Sequence, residues 1–352
     1  MSNHDDKLRV GVILGGVSSE REISLESGRN IYFNLDPFEY ESVPIFLDTQ
    51  GRFWEITLPL LVQNTTEDIA ARLDEATLIP YEALKERIDF AYIGLHGKYG
   101  EDGCLQGLLE LLGVPYTGAG VLGSALGMDK AMQRRILRAA GIEVPRHVVV
   151  CEQDWLARPD QVARCIEEEI GYPCVTKPTR EGCSTGITVV RDVEQLAHGL
   201  TCAFEWDVNA LAEELLQGME ITIGVIGNDD PVAFLPTQVP AKGDFLTVEE
   251  KFLPGEGEMI TPAPLPAEMI RKVQEVAVRT YQILSLKAYC RIDAFVVGER
   301  VIVTEPNTLP GMTPSTAIFH GAAEAGLSPM ALIDKVIQLS LEAHAEKKGP
   351  LA

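Results

Sequence analysis

The feature that most constrains the fold of this chain is an alternation of strand-like and helix-like segments over residues 7–125. The predicted strands are LRVGVILGG, SVPIFLD, FAYIGLHG and VPYTG. The predicted helices are residues 23–35, after the first strand, and GCLQGLLELLG, before the last one. This rhythm predicts a mostly parallel sheet with helices on both faces. Ligands of such sheets bind beyond the carboxyl ends of the strands, where GGVSSERE and LHGKYGED fall.

Two further units follow, so we predict a chain of mixed α/β and α+β class with three domains, 1–125, 126–217 and 218–352. The second unit opens with a helix that Asp129 can cap and continues with HVVVC, YPCVTKP, ITVVRD, the helix DVEQLAHGLTCAFEW and the strand ALAEELL. The third unit is dominated by strands and closes with a helix from Pro329. Its segment 240–264 is a long connection of the kind that often serves as a lid.

The segment RIDAFVVGERVIVTEPN, residues 291–307, predicts a β-hairpin with the three-residue loop GER. In that register Asp293 faces Glu305, and Arg291 faces Asn307. Because side chains alternate between the faces of a strand, all four project to the same side. A two-residue turn would instead place the two acids on opposite faces.

Two interpretations of these facing acids remain open, since opposed like charges destabilise a sheet. In the first, the acids lie on a wet face with Arg291 between them. In the second, a cation lies between them. Two carboxylates and the carbonyl of Asn307 are hard oxygen ligands, which suit Mg²⁺.

Charge and composition exclude several classes of function. The chain has 352 residues, of which 46% are hydrophobic, and a formal net charge of −22. We therefore expect no nucleic-acid partner and no membrane partner, since both need a basic surface. No apolar run reaches the ~18 residues that span a bilayer, and the N-terminal stretch does not match a secretory signal. Seven cysteines without a CxxC pair favour a reduced, cytoplasmic protein.

Two glycine-rich segments are candidate anion sites. Gly15-Gly16 precedes a helix and fits either a tight turn or the approach of backbone to a ligand. The segment GCSTG matches the GxSxG of hydrolase elbows, but it joins two strands rather than a strand and a helix. We expect it instead to fold over phosphate groups with Ser184, beside Lys177. The P-loop motif GxxxxGK[ST] does not occur.

Four other polar residues have both a functional and an ordinary interpretation. His96 ends a predicted strand beside glycine, so it is either a substrate contact or a structural histidine. Glu213 and Glu220 flank a connection between strands and can meet a ribose or an amine, although each alone would be a surface acid. Lys251 lies in the predicted lid, where a solvated charge is the simplest interpretation.

Taken together, several segments resemble those of the D-alanine–D-alanine ligase family of the ATP-grasp superfamily. The segments are LGGVSSEREISLESG, LHGKYGEDGCLQGLLELLGVPYTG, MDK, TKPTREGCSTG and RIDAFVV…TEPNTLPGMT, which occur in that order and cover nearly the whole chain. The resemblance implies a parallel α/β domain followed by a two-domain ATP-grasp, with ATP between the antiparallel sheets of the latter. It also implies a cytoplasmic, homodimeric enzyme of peptidoglycan synthesis.

For the nucleotide, the resemblance implies contacts from the second and third domains. Lys130 and Lys177 are expected at the phosphates beneath Ser184, with Lys251 reaching the terminal phosphate. The adenine is expected along Glu213, Glu214 and Leu216, and the ribose at Glu220. Two Mg²⁺ ions, replaceable by Mn²⁺, are expected on Asp293, Glu305 and Asn307.

The reaction of the family joins the carboxylate of one D-alanine to the amine of another. ATP converts the first D-alanine to an acyl phosphate, which the second amine attacks with loss of phosphate. Positioning and electrostatics carry most of this catalysis. The substrate contacts that the resemblance implies are Glu20 for the first ammonium, His96 for its carboxyl, Arg291 and the Gly311 N–H for the oxyanion, and Ser315 and Thr316 for the acceptor carboxylate.

The chain departs from the family pattern around the acceptor. Cys183 replaces a common serine, Leu246, Val248 and Phe252 replace common tyrosines, and Thr316-Ala317 replaces Ser-Leu. Cys183 is a weak hydrogen-bonding group and Phe252 offers no hydroxyl. The alternatives are an ordinary D-alanine–D-alanine ligase, a D-alanine–D-lactate (depsipeptide) ligase and a dipeptide ligase of specialised metabolism. Outside this class, a non-catalytic ATP-binding regulator and a nicotinamide-dependent oxidoreductase remain.

Overall fold

The computed structural model of the chain describes residues 7–182, 185–240 and 259–347. The predictions for Cys183, Ser184, Leu246, Val248, Lys251 and Phe252 concern residues outside these ranges. Of the helices within the ranges, none combines the length and the apolar character that crossing a bilayer requires.

The N-terminal segment is an α/β unit on a five-stranded sheet. Its elements are β1 (Leu8–Gly15), α1 (Arg21–Asn34), β2 (Tyr40–Leu47), β3 (Phe53–Glu55), α2 (Leu58–Leu61), α3 (Thr66–Ala70), β4 (Leu78–Ile79), α4 (Leu84–Arg87), β5 (Phe90–Ile93) and α5 (Cys104–Leu112). The strand order is β4-β3-β2-β1-β5, in which β1 is parallel to β2 and β5, and β3 is antiparallel to its neighbours.

The parallel part of this sheet confirms the predicted α/β rhythm, but two details were predicted wrongly. The segment VPYTG contributes only an isolated bridge between Ala91 and Tyr116, rather than a strand. The antiparallel edge formed by β3 and β4 was missed, because runs of two or three residues are too short to show a strand pattern.

The end of β1 is a tight turn that fixes the start of α1. Gly15 and Gly16 both have positive φ, +91° and +97°, which glycine adopts without strain. A Cβ at Gly15 would lie 2.7 Å from the carbonyl oxygen of Leu47, and Gly16 N–H donates to that same oxygen. The turn therefore accounts for the glycine pair and sets Glu20 at the N-cap of α1.

The middle of the chain forms an antiparallel sheet in the order β6-β9-β7-β8. Its elements are α6 (Val121–Met128), α7 (Lys130–Ala139), β6 (His147–Cys151), α8 (Glu152–Ala157), α9 (Pro159–Glu169), β7 (Cys174–Pro178), β8 (Thr188–Val190), α10 (Val193–Phe204) and β9 (Asn209–Glu214). Asp129 caps α7 as predicted, since its carboxylate accepts from Met132 N–H at 2.9 Å. Helices α8 and α9 were not predicted.

A third sheet follows, in the order β11-β10-β13-β14, with β12 also paired to β10. Its elements are β10 (Met219–Ile226), β11 (Val232–Ala233), β12 (Thr237–Gln238), α11 (Ala267–Ile283), β13 (Tyr289–Val297), β14 (Arg300–Asn307), α12 (Ala317–Glu324) and α13 (Pro329–Ala345). The predicted closing helix, α13, packs its buried face against the core of the first sheet. The hydroxyl of Tyr40 on β2 also donates to Asp334 on this helix.

The hairpin of β13 and β14 has a shorter turn than predicted, but it keeps the predicted pairing of the two acids. The turn has two residues, because Val297 pairs with Arg300, so the three-residue loop was wrong. A β-bulge between Asp293 and Ala294 then admits Thr304 as an extra residue on β14. Beyond the bulge the register is the predicted one, so Asp293 pairs with Glu305 as expected.

Candidate active site

A cleft opens where the N-terminal segment, the loop after β7 and the β13–β14 hairpin meet. The predicted residues that line it are Glu20, His96, Lys130, Lys177, Arg291, Asp293, Glu305, Asn307 and Gly311. A second, smaller cavity shares Arg291 and Asp293 with this cleft and is also lined by Glu220 and Thr316. Of the remaining candidates among the described residues, Glu213, Glu214, Leu216 and Ser315 line neither cavity.

Asp293 and Glu305 each have a cationic neighbour in this cleft. The Asp293 carboxylate accepts from Arg291 Nε and Nη2, both at 2.9 Å, and from Thr222 Oγ1 at 2.7 Å. Glu305 Oε1 lies 2.7 Å from Lys130 Nζ. These cations offset the repulsion between the two acids, and the side chains are largely buried rather than on a wet face.

The donor set fits a hard divalent cation. Asp293, Glu305 and Asn307 present two carboxylates and an amide on one side of the hairpin, which are ligand types that Mg²⁺ prefers. Asn307 Nδ2 donates to Asp293 at 3.0 Å, so the carbonyl oxygen of that amide is the atom that could bind a cation. In the described ranges no group of three or more His, Cys, Asp or Glu side chains is placed to hold a metal ion.

Lys177 belongs to a buried ion network that sequence reasoning identified only in part. Its Nζ lies 2.7 Å from Glu213 Oε1, and the other oxygen of Glu213 pairs with Arg134. Burial would raise the pKa of Glu213, but Arg134 and Lys177 outweigh burial and lower it. Burial lowers the pKa of Lys177, and the carboxylate of Glu213 opposes that shift. Glu213 is therefore the counter-ion that holds Lys177 at the cleft, while Glu214 pairs with Arg146 at 3.0 Å.

Arg134 was missed, and its position explains why. It is 1% exposed on the buried side of α7, where a sequence pattern favours an apolar residue. A charged residue at a core position of an amphipathic helix is the signal that could have found it. Its Nη2 also donates to the carbonyl of Thr304, the bulge residue, at 3.3 Å.

Glu20 lines the cleft between two closely approaching backbone segments. Added Cβ atoms at Gly97 or Gly182 would each lie 2.5 Å from Glu20 Oε2. Both segments can approach the carboxylate this closely only because these positions are glycine. Glu20 itself is 8% exposed, so the cleft presents a sheltered carboxylate near His96.

Glu101, which sequence reasoning did not single out, lies beside Glu20. Its carboxyl oxygens accept from Gly97 N–H at 2.7 Å and Leu309 N–H at 3.2 Å. Burial, with repulsion from Glu20, raises the pKa of Glu101 to about 8. A protonated Glu101 avoids placing two charged acids side by side. Its place in LHGKYGED, five residues after His96, was the available signal.

His96 is buried and uses both ring nitrogens. Nε2 lies 2.8 Å from Ser27 Oγ, and Nδ1 lies 3.2 Å from the carbonyl oxygen of Leu309. Burial lowers the pKa of His96 to about 4, and Arg291 contributes in the same direction, against the bond to Leu309. The ring is therefore neutral at neutral pH, and it lies at the cleft as predicted.

The lowered pKa of His96 predicts a loss of stability in mild acid. The ring has an ordinary pKa near 6.5 when unfolded, so between 6.5 and 4 only the unfolded state binds the proton. The free energy of unfolding should then fall by roughly 2 kcal/mol from pH 7 to pH 5 through this group. Urea unfolding of the wild type and of His96→Gln at both pH values isolates the contribution. Equal losses in the two proteins would contradict it.

Family models match most of the chain. The model described as D-ala D-ala ligase N-terminus matches residues 9–119, and D-ala D-ala ligase C-terminus matches residues 136–338. Among curated proteins, the D-alanine–D-alanine ligase of Geobacillus kaustophilus is 35% identical over 355 residues, with 97% of each chain covered. That of Caldicellulosiruptor bescii is 35% identical over 362 residues, with 97% of this chain and 98% of the relative covered.

Solved structures agree with these matches and with the predicted fold class. The VanG D-Ala:D-Ser ligase from Enterococcus faecalis has a TM-score of 0.82 and 29% identity, and covers 95% of this chain and 100% of that chain. The D-alanine–D-alanine ligase from Bacillus anthracis complexed with ATP has a TM-score of 0.73 and 32% identity, with coverage of 97% and 100%. Both the sequence resemblance and the α/β architecture are thus confirmed, and the chain belongs to the D-alanine–D-alanine ligase family.

Proposed function

We propose that this chain joins two molecules of D-alanine at the expense of ATP and so makes the dipeptide precursor of peptidoglycan. The observation that carries the proposal is that Asp293, Glu305 and Asn307 project to one side of the hairpin, close to two buried lysines. Family models of this ligase match both the N-terminal and the C-terminal part of the chain. Every curated relative reported above has the name D-alanine–D-alanine ligase, which favours D-alanine over D-lactate as the acceptor.

For the nucleotide, Lys130 and Lys177 bind the phosphates. Both are nearly buried, and each is held by a carboxylate, Glu305 for Lys130 and Glu213 for Lys177. A point charge on a fixed stem suits a phosphate oxygen. The further nucleotide contacts that we propose are Glu213, Glu214 and Leu216 along the adenine, Glu220 at the ribose, and Ser184 and Lys251 at the phosphates.

Asp293, Glu305 and Asn307 would hold two Mg²⁺ ions, and Mn²⁺ can replace them because it takes the same oxygen ligands. The metal neutralises charge on the triphosphate when it is bound. Neighbouring side chains balance the charge of the two acids and hold Asp293 in position. Lys130 and Arg291 balance Glu305 and Asp293, and Thr222 and Asn307 fix the rotamer of Asp293 through their hydrogen bonds.

The donor D-alanine binds with its ammonium at Glu20 and its carboxylate toward Arg291 and Gly311. An oxygen of that carboxylate attacks the terminal phosphorus of ATP, giving an acyl phosphate and ADP. The amine of the second D-alanine then attacks the acyl carbon, and the tetrahedral oxyanion is stabilised by Arg291 and the Gly311 N–H. Phosphate leaves as the peptide bond forms, and the proton of the attacking amine passes to the departing phosphate or to solvent. Neutral His96 adds no competing charge near the carboxyl.

The acceptor carboxylate lies near Ser315 and Thr316, at the start of α12. Thr316 lines the second cavity with Arg291 and Asp293, so this cavity adjoins the reacting centre. We propose Cys183 and Phe252 as further substrate-binding residues on the basis of the family pattern alone. We also propose that the enzyme works in the cytoplasm, where ATP and free D-alanine are supplied, and that it is a homodimer. Its proposed domains are residues 1–125, 126–217 and 218–352.

The reaction is tested with the purified chain, ATP, Mg²⁺ and single amino acids. We expect phosphate release that depends on D-alanine, with D-alanyl-D-alanine detected by mass spectrometry. L-Alanine should give no release. D-Lactate offered with D-alanine separates the acceptors, since an amine is mostly protonated and poor at pH 6 whereas a hydroxyl is not. Release triggered by L-alanine alone, or a depsipeptide as the main product at pH 8, would refute the proposal.

The metal assignment is tested with Glu305→Gln. The amide keeps the size of the side chain but removes the charge that pairs with Lys130 and would bind a cation. We expect kcat to fall at least about 100-fold, roughly the 2.7 kcal/mol that two factors of ten represent, while circular dichroism is unchanged. Glu299→Gln, at the exposed turn of the same hairpin, is the matched control and should keep full activity. Activity retained in Glu305→Gln would remove the residue from the site.

A further inference from the structure

The loop from Leu309 to Met312 is held at both ends by side chains of the N-terminal segment. Leu309 N–H donates to Glu101 Oε1 at 3.2 Å, and the Leu309 carbonyl lies 3.2 Å from His96 Nδ1. At the other end, Met312 N–H donates to Ser27 Oγ at 3.1 Å, and its carbonyl accepts from Asn30 Nδ2 at 2.8 Å. Both the N–H and the carbonyl of each end residue are therefore paired with a group more than 200 residues away in the chain.

The hydrogen-bond directions in this arrangement are fixed by chemistry. A carbonyl oxygen only accepts, so His96 Nδ1 must carry the proton that reaches Leu309. In the neutral ring Nε2 is then an acceptor, and the hydroxyl of Ser27 donates to it at 2.8 Å. The same oxygen of Ser27 is left to accept from Met312 N–H. One continuous chain of hydrogen bonds thus joins the two ends of the loop through His96 and Ser27.

The loop needs such external partners because it is buried without being part of a sheet or helix. It lies between β14 and α12, and Leu309 and Met312 are 2% and 1% exposed. A buried peptide group without a hydrogen bond is strongly unfavourable. The middle of the loop is Pro310 and Gly311, and Gly311 lines the cleft beside Arg291. The side chains that hold the ends therefore determine where the Gly311 N–H lies.

We propose that Ser27, Asn30, His96 and Glu101 form a peptide clamp that positions the Gly311 N–H for the oxyanion. The four are positioning residues, and the inference rests on the proposed function. The oxyanion site is therefore formed by two distant parts of the chain. The loop follows β14, whereas the four clamp residues lie on α1 and in the segment after β5. Loosening one end moves the Gly311 N–H without touching Lys130 or Lys177.

The test compares Ser27→Ala with Ser24→Ala. Both serines are fully buried on α1, and each bonds two partners through its hydroxyl. Ser24 bonds the backbone of Gly15 and Gly94 instead of the loop, so its loss is a matched structural change. We expect Ser27→Ala to lower kcat at least about tenfold with KM for ATP within about twofold. Ser24→Ala should lose similar thermal stability but keep kcat within about twofold.

A second variant keeps the test decisive where Ser27→Ala fails to fold. Asn30→Ala removes the bond to the Met312 carbonyl and a bond from Asn34 Nδ2 within the same helix, both at a partly buried position, and it should show the same fall in kcat at constant KM for ATP. The double variant should be less than additive, because both side chains hold the backbone of the same residue, Met312. Equal kcat losses in Ser24→Ala and Ser27→Ala, or wild-type kcat in both clamp variants, would overturn the proposal. A wild type without D-alanine-dependent phosphate release would instead refute the proposed function.

Discussion

Two carboxylates, Asp293 and Glu305, point from paired strands into the same largely buried cleft, and this opposition of like charges determines much of what surrounds them. Arg291 pairs with Asp293 and Lys130 with Glu305, so each acid is balanced by a cation that also lines the cleft. Breaking such a buried pair leaves an uncompensated charge, which is costly. The same oxygen atoms are suited to hold a divalent cation, and the same cations are suited to bind phosphate or an oxyanion.

A network of buried ion pairs also holds the second lysine of the cleft in place. Lys177 is held by Glu213, and Glu213 also pairs with Arg134, which in turn reaches the bulge residue Thr304. The fixed cations of the cleft are thus tied both to the middle sheet and to the hairpin that carries the acids. On the opposite side, the N-terminal segment supplies Glu20 and the residues that hold the Leu309–Met312 loop. The cleft therefore depends on all three parts of the chain.

Local patterns predicted most of the regular elements, because their physical causes are local. The capping of α7 by Asp129 and the presence of helix α10 follow from neighbours in the sequence. The hairpin shows the limit of such reasoning, since the facing of Asp293 and Glu305 was right although the loop was wrong. A β-bulge at Thr304 restored the predicted register, and no local sequence pattern predicted this bulge.

The residues that the sequence did not identify act over long separations. Glu101 was missed because its partner Leu309 is 208 residues away, and Arg134 because its partner Glu213 lies on another element. The packing of α13 on the first sheet likewise joins residues that are far apart in the sequence. The resemblance to a known family identified the main cleft residues in advance, whereas the contacts that hold those residues in place became visible only in the folded chain.

The central claim is that the hairpin acids face a divalent cation at the nucleotide. Anomalous diffraction from crystals grown with ATP and Mn²⁺ tests it most directly, because Mn²⁺ is visible and takes the same oxygen ligands as Mg²⁺. We predict manganese peaks in contact with carboxylate oxygens of Asp293 and Glu305. Bound nucleotide with manganese elsewhere, and with these carboxylates still paired only to Arg291 and Lys130, would contradict it.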